Sequence, residues 1–324
     1  MAVKFEGGTV AALRSGGGAG KEADRQSPAD PLDPLGRSVL HTTASGGVYA
    51  STAPFEEVIE GLSGLITRHR EPGTEVLRFP PIMNRRQVEK SGYLHSFPHL
   101  LGCVCGLHGD EAEIHAAVGR YNAGKEWVDA VKATDLVLTP AACYPLYPMA
   151  AARGPLPADG LKFDVASYCF RRETSFEVDR LQAFRMREYV YMGSPTEAVA
   201  FRARWLELAK ELAGLLALPY RLAPASDPFF GRAARIIAAS QVEQMLKFEL
   251  LIPLRSQEQP TACMSFNIHR DHFGHAWNLR TESGDVAHTA CVAFGMDRLA
   301  LALFAIHGID ILEWPQSVRE NLRI

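Results

Sequence analysis

The chain of 324 residues is 47% hydrophobic and 22% charged, enough apolar material to bury one large core or two modest ones. Its formal charge of −3 and pI near 6.4 show no overall basic excess for nucleic acid, although a local basic face would be invisible to that sum. No apolar run reaches the length of a membrane span, no signal peptide is visible, and six scattered cysteines do not make a disulfide framework, so a cytoplasmic protein with no membrane role is expected.

Residues 1–38 are rich in Gly, Ala, Ser, Asp and Pro and are expected to be disordered, because they offer too little apolar surface to offset ordering. Residues 39–324 are expected to form one folded domain, with a helical insertion over about 195–245. The spacing of Phe55, Val58, Ile59, Leu62, Leu65 and Ile66 predicts a first helix ending near Arg68. A strand over 74–79 is halted by Pro80 and Pro81, and 85–90 can be helical. Further strands are predicted at 135–138, 162–171, 182–192, 246–252, 261–268, 275–280 and 286–294. Helices are predicted over 110–130, over 195–216 behind Ser194 and Pro195, and from Phe229 or Phe230 to about Gln244. Hairpin-joined strands with helices between them imply an α+β domain, an antiparallel β-sheet flanked by helices.

Two segments carry chemistry. In the first, a strand reaches Phe170-Arg171-Arg172-Glu173, a short polar loop holds Asp179-Arg180-Leu181, and a return strand runs Gln182-Ala183-Phe184-Arg185-Met186-Arg187-Glu188. Alternate residues of a strand share a face, so Cys169, Arg171 and Glu173 point one way and Phe184, Met186 and Glu188 line one face of the return strand. Pairing Glu173 with Phe184 would set Arg171 opposite Met186 and Cys169 opposite Glu188. An aromatic face and a carboxylate then suit adenine, and an arginine suits the α-phosphate. In the second segment a strand from His288 ends at Gly295 and enters a helix with Arg298 in its first turn. A helix start with free N–H groups, a glycine and a permanent cation suits a phosphate.

Together these segments resemble the second and third signature motifs of class II aminoacyl-tRNA synthetases, and the helix, strand and Pro80-Pro81 order resembles the first, which builds the homodimer interface in that family. From about residue 74 onward, roughly three quarters of the chain, the sequence is similar to the catalytic core of the zinc-dependent seryl-tRNA synthetases of methanogens and to their bacterial relatives, the amino acid:carrier protein ligases. That resemblance implies a class II synthetase-like core in which Arg171 and Arg298 are catalytic and bind the α- and γ-phosphates. It gives Arg180 and Leu181 to a loop closing over ATP, with Glu173, Phe184 and the Ala262 backbone also at the nucleotide. Mg²⁺ is expected with ATP, although Ala262 stands where ordinary synthetases carry an acidic residue for the metal.

The resemblance further implies that Cys143, Glu188 and Cys291, which no local spacing joins, hold Zn²⁺. Its fourth position would take the neutral α-amino group of the substrate. Glu188 would thus touch substrate as well as metal. Asp227 in Ala225-Ser226-Asp227-Pro228 matches a segment near the amino acid, and its alternative role is a helix cap. Cys169 could compete as a ligand, and His269, His272 and His275 form a second cluster of potential metal donors.

The implied activity joins a small amino acid, glycine or alanine, to AMP and passes it to the phosphopantetheine thiol of a carrier protein. About 35 structured residues before the first motif leave no room for a tRNA-binding domain, so tRNA is not the expected acceptor. Arg232 and Arg235, three apart on the helix expected from 229 to 244, offer a basic face to an acidic carrier. Two alternatives stand beside this: a truncated seryl-tRNA synthetase, and a catalytically silent amino-acid sensor.

Overall fold

The computed structural model describes residues 34–43, 45–173, 175 and 177–324. The disorder expected over 1–38 therefore falls mostly outside the described residues, whose first element is a short helix, Pro34–Val39. The strands in chain order are β1 (Leu40–Thr42), β2 (Tyr49–Ser51), β3 (Glu75–Arg78), β4 (Ile82–Asn84), β5 (Cys103–Leu107) and β6 (Val131–Leu138). They continue as β7 (Leu161–Phe170), β8 (Ala183–Gly193), β9 (Arg221–Pro224), β10 (Lys247–Ile252), β11 (Thr261–Arg270) and β12 (His288–Gly295).

Seven of these strands make the central sheet, in the order β3-β7-β8-β12-β11-β10-β9. β3 runs parallel to β7, and each remaining pair is antiparallel. The sheet is buried on both faces, and the period of two sorts its side chains. Tyr189, Tyr191, Val292 and Phe294 face a core closed by helices Ala53–Arg68, Pro195–Leu215 and Met296–His307, while Val190, Met192, Cys291 and Ala293 face a second, smaller core. On the helical side Trp205 stacks on Tyr189 with ring centroids 4.5 Å apart, which pins the long helix to the sheet centre.

Several expected elements form as read. Helix Ala53–Arg68 buries the stripe from Phe55 to Ile66, β3 stops before Pro80, and helix Arg85–Lys90 follows, with Asn84 accepting from the Arg86 N–H. Others do not. The helix expected over 110–130 spans Glu111–Asn122: an Asp110–Glu113 capping box starts it, and Gly124, at φ 67°, turns the chain away. The helix expected from Phe229 or Phe230 begins at Ala234 and ends at Glu243, after a turn through Gly231 at φ 89°. The stretch 195–245 holds two helices and also β9, which closes one edge of the sheet.

The strand expected over 275–280 is instead helix His272–Trp277. Its apolar residues face the second core by helical rather than alternate spacing, with Phe273 stacked 3.7 Å from Tyr147. Gly274 is what allows this: a Cβ there would lie 2.2 Å from the Ala287 carbonyl oxygen, so the helix sits against the approach to β12.

The β7–β8 pairing is also corrected. Cys169 lies opposite Phe184 and Val165 opposite Glu188, four residues from the expected register. The ladder ends early because the Arg171 N–H still reaches the Gln182 carbonyl at 2.9 Å, whereas the Arg172 N–H turns away to the Leu100 carbonyl at 3.0 Å. A shift of an even number of residues keeps every side chain on its original face. The site therefore assembles on the expected side.

Candidate active site

A cavity of about 470 Å³ opens on the face of the sheet carrying the smaller core. The strands β8, β10, β11 and β12 deliver its floor, the residues just past the end of β7 its rim, and the segments 91–100, 140–144 and 227–229 its walls. Arg171, Glu173, Leu181, Phe184, Ala262 and Arg298 line it, as do Cys143, Glu188, Asp227 and Cys291. Residues scattered over more than half of the chain thus meet in one cleft. Arg180, Arg232 and Arg235 do not line it.

At one end the Arg171 guanidinium lies 5.5 Å from the Phe184 ring centroid, and its Nε donates to the Pro140 carbonyl at 3.2 Å. Arg298 is fixed from the first turn of helix Met296–His307: Nε donates to the Asp179 carbonyl at 2.7 Å and Nη1 to the Ala262 carbonyl at 3.1 Å. The Ala262 carbonyl is thus an anchor for Arg298. Arg180 is half-exposed and pairs with Glu177 at 2.8 Å and Glu173 at 3.6 Å, tying the loop to the carboxylate expected at adenine. Two cations with fixed stems and an aromatic face make an anion-binding, ring-stacking surface.

At the other end the three residues expected to share a metal meet. Glu188 Oε1 accepts from the Cys143 backbone N–H at 2.9 Å, and the two thiols and the carboxyl are close enough to shift one another's titration. The Cys143 thiol is held well above its ordinary value by its hydrogen bond with Cys291, by burial and by the Glu188 charge. Burial raises Glu188 and outweighs the bonds it receives from Cys143 and Cys291. Cys291 is lowered by Cys143 but ends above its ordinary value through burial and Glu188. Three acids pushed toward their protonated forms are an environment that a divalent cation would reverse, and two sulfurs with one oxygen are a zinc donor set. Among the described residues, however, no three His, Cys, Asp or Glu side chains stand ready as a metal cage. The donor types suit zinc by their chemistry.

Cys169 does not join them. It packs in the core opposite Phe184, with its thiol toward the Ser167 carbonyl. The three histidines do not converge either. His269 contacts Thr289 and Cys291, His272 meets the Ser91 carbonyl at 3.0 Å, and His275 pairs with Asp271 on the surface. Burial pushes His269 down to about 4, so it is neutral at physiological pH.

Asp227 caps no helix. Its Oδ1 accepts from Lys247 Nζ at 2.6 Å and its Oδ2 from Gln241 Nε2 at 2.8 Å, while its own N–H donates to Gln241 Oε1 at 2.7 Å. Burial would raise this carboxyl, but Lys247 and Gln241 hold it below its ordinary value. Lys247 and Gln241 were missed by sequence reasoning, as was Asn267, whose amide donates to the Cys291 sulfur at 3.4 Å. A lysine at the start of an apolar strand, Lys247-Phe248-Glu249-Leu250, was the available signal: a charge facing a buried sheet surface needs a partner. Arg187 and Asp164, within the same motif, serve the opposite face, where they pair at 2.5 Å and hold helix Ala53–Arg68 through Ser63 and Thr67.

No family model matches the chain. It is 61% identical over 294 residues to amino acid–acyl-carrier-protein ligase 1 of Bradyrhizobium diazoefficiens, across 91% of this chain and 90% of that relative. Ligase 2 of the same organism is 59% identical over 295 residues, across 91% and 88%. A type-2 serine–tRNA ligase of Methanopyrus kandleri is 25% identical over 299 residues, which span 85% of this chain but 56% of the relative. Among solved structures, M. kandleri seryl-tRNA synthetase in complex with a tRNA matches with a TM-score of 0.77 at 24% identity, over 93% of this chain and 62% of that one. Seryl-tRNA synthetase from Pyrococcus horikoshii complexed with ATP matches with a TM-score of 0.64 at 16% identity, over 90% and 62%. These two likenesses give the fold: a class II aminoacyl-tRNA synthetase catalytic core.

Proposed function

We propose, from the premise that this chain belongs to the amino acid–acyl-carrier-protein ligases, that its cleft activates a small amino acid with ATP and loads it onto a carrier protein. The observation that carries this is one cavity with an arginine and aromatic end at Arg171 and Phe184 and a thiol and carboxyl end at Cys143, Glu188 and Cys291. The first end suits a nucleotide and the second the amino acid to be joined to it.

In the first half-reaction a substrate carboxylate oxygen attacks the α-phosphorus of ATP and pyrophosphate leaves. Arg171 would hold the α-phosphate and Arg298 the γ-phosphate, with Mg²⁺ brought by ATP, so that charge developing in the transition state meets fixed donors. Phe184 would stack on adenine and Glu173 accept its amino group, with Arg180 and Leu181 closing the loop over them. In the second half-reaction a phosphopantetheine sulfur attacks the acyl carbon, a thioester forms and AMP leaves. No side chain need act as nucleophile.

Cys143, Glu188 and Cys291 would hold Zn²⁺, which when bound supplies a Lewis-acid position for the neutral α-amino group. Asp227, kept ionised by Lys247, would accept an N–H from that amine. Glycine and alanine are the favoured substrates. The acceptor would dock against the exposed Arg232 and Arg235, the first in the turn before helix Ala234–Glu243 and the second within it. A homodimer formed through helix Ala53–Arg68 and β3, in the cytoplasm, completes the proposal. The identity of the acceptor is tested by offering ATP and a panel of amino acids together with pantetheinylated carrier protein or tRNA and weighing the product. Mass gain on the carrier is expected; gain on tRNA alone would overturn the assignment.

A further inference from the structure

The register of the sheet places Lys247 opposite Asn267 and Asn267 opposite Cys291, one row of side chains running away from the thiol and carboxyl cluster across two strand spacings. All three residues line the cleft. At about 4.8 Å per strand, the Lys247 and Cys291 backbones stand about 10 Å apart. Asn267 occupies the middle of that interval and Lys247 its far end. A substrate whose amine sits at Cys143, Glu188 and Cys291 and whose side chain extends along the row passes over Asn267 and ends at Lys247.

Lys247 cannot swing aside. Its side chain is 10% exposed, and Nζ is held by Asp227 Oδ1 at 2.6 Å and by Glu249 Oε1 at 3.2 Å. Asp227 is in turn clamped by Gln241 from helix Ala234–Glu243. Displacing the ammonium would leave two carboxylates unpaired inside the cleft.

We propose that Lys247, fixed by Asp227 and Glu249, is the specificity-determining wall at the amino-acid end of the cleft and sets the length of substrate side chain that can be activated. This rests on the proposed amino-acid site and says which residue limits it. The discriminating quantity is the ratio of kcat/KM in amino-acid-dependent pyrophosphate exchange for 2-aminobutyrate or valine over that for glycine. Lys247→Ala removes the wall and is expected to raise that ratio by about tenfold or more, the range that one or two methylenes command in a closed pocket. Lys247→Arg keeps the charge, lengthens the arm and is expected to lower the alanine-to-glycine ratio; it serves as the measurement should Lys247→Ala fail to fold. A uniform fall for every amino acid in both variants would overturn the wall while leaving the cleft's assignment standing. Absence of any amino-acid-dependent exchange in the wild-type chain would overturn the assignment and the wall together.

Discussion

The Cys143 backbone N–H donates to Glu188 Oε1 at 2.9 Å across 45 residues of chain, inside a cluster that Cys291 completes from a third element. On the proposed zinc site, replacing Cys143 or Cys291 by Ser should reduce bound zinc, measured by elemental analysis of the purified protein, from about one ion per chain to a small fraction. Amino-acid-dependent pyrophosphate exchange should fall at least about 100-fold, since removing a ligand costs no less than removing an outer partner. ATP binding by calorimetry should persist, because the nucleotide end is built from other residues.

Arg171→Ala and Arg298→Ala test the nucleotide end. Each removes a donor that the proposed reaction assigns to a phosphate, and each should then lower kcat in pyrophosphate exchange by about 10²-fold or more. Retained zinc in the same preparations would show that the two ends are built independently.

The exposed pair near helix Ala234–Glu243 makes a separable prediction. Reversal of both charges in Arg232→Glu with Arg235→Glu should impair loading of carrier protein while leaving pyrophosphate exchange within about twofold of wild type, because electrostatic contacts at a rim act chiefly on encounter. Unchanged loading would remove this face as the docking site.

The buried pair on the opposite face predicts a pH dependence of stability. Asp164, fully buried, would be raised by burial, but hydrogen bonds and charge from Arg187 and Arg78 hold its carboxyl below the ordinary 3.8. A depressed folded value means that its contribution is fully present above the unfolded value and is lost as pH falls through the folded one. Asp164→Asn should cost about 3–5 kcal/mol in urea unfolding at pH 7, the range for breaking a buried ion pair. That difference should shrink as pH falls from the ordinary 3.8, where the unfolded chain takes up the proton, through the lower folded value. A difference that stays constant to low pH would show that the ionised pair is not what stabilises this face.

Much of the site could be read from composition and period. Phe184, Met186 and Glu188 alternate on one strand, Arg298 follows a glycine at a helix start, and these facts survived the misread register because its displacement, four residues, is even and preserves faces. The β7–β8 register itself was misread, since it depends on where Arg172 leaves the ladder for the Leu100 carbonyl, a contact supplied by a distant segment. The helix at His272–Trp277 was misread for a similar reason: its pattern is short, and burial against Tyr147 and the backbone at Ala287 decided between two periods. Lys247 and Gln241 were overlooked because their meaning lies in Asp227, which joins them only in space.

By itself the chain determined which strands and helices it would make over most of its length, and which faces of them would be apolar, because hydrophobic spacing is a local property that solvent exclusion reads directly. Tertiary structure decided which polar groups meet. Cys143, Glu188 and Cys291, and likewise Asp227, Gln241 and Lys247, come from separate elements, and a buried charge or thiol takes its character from neighbours that only the closed sheet brings within a few ångströms.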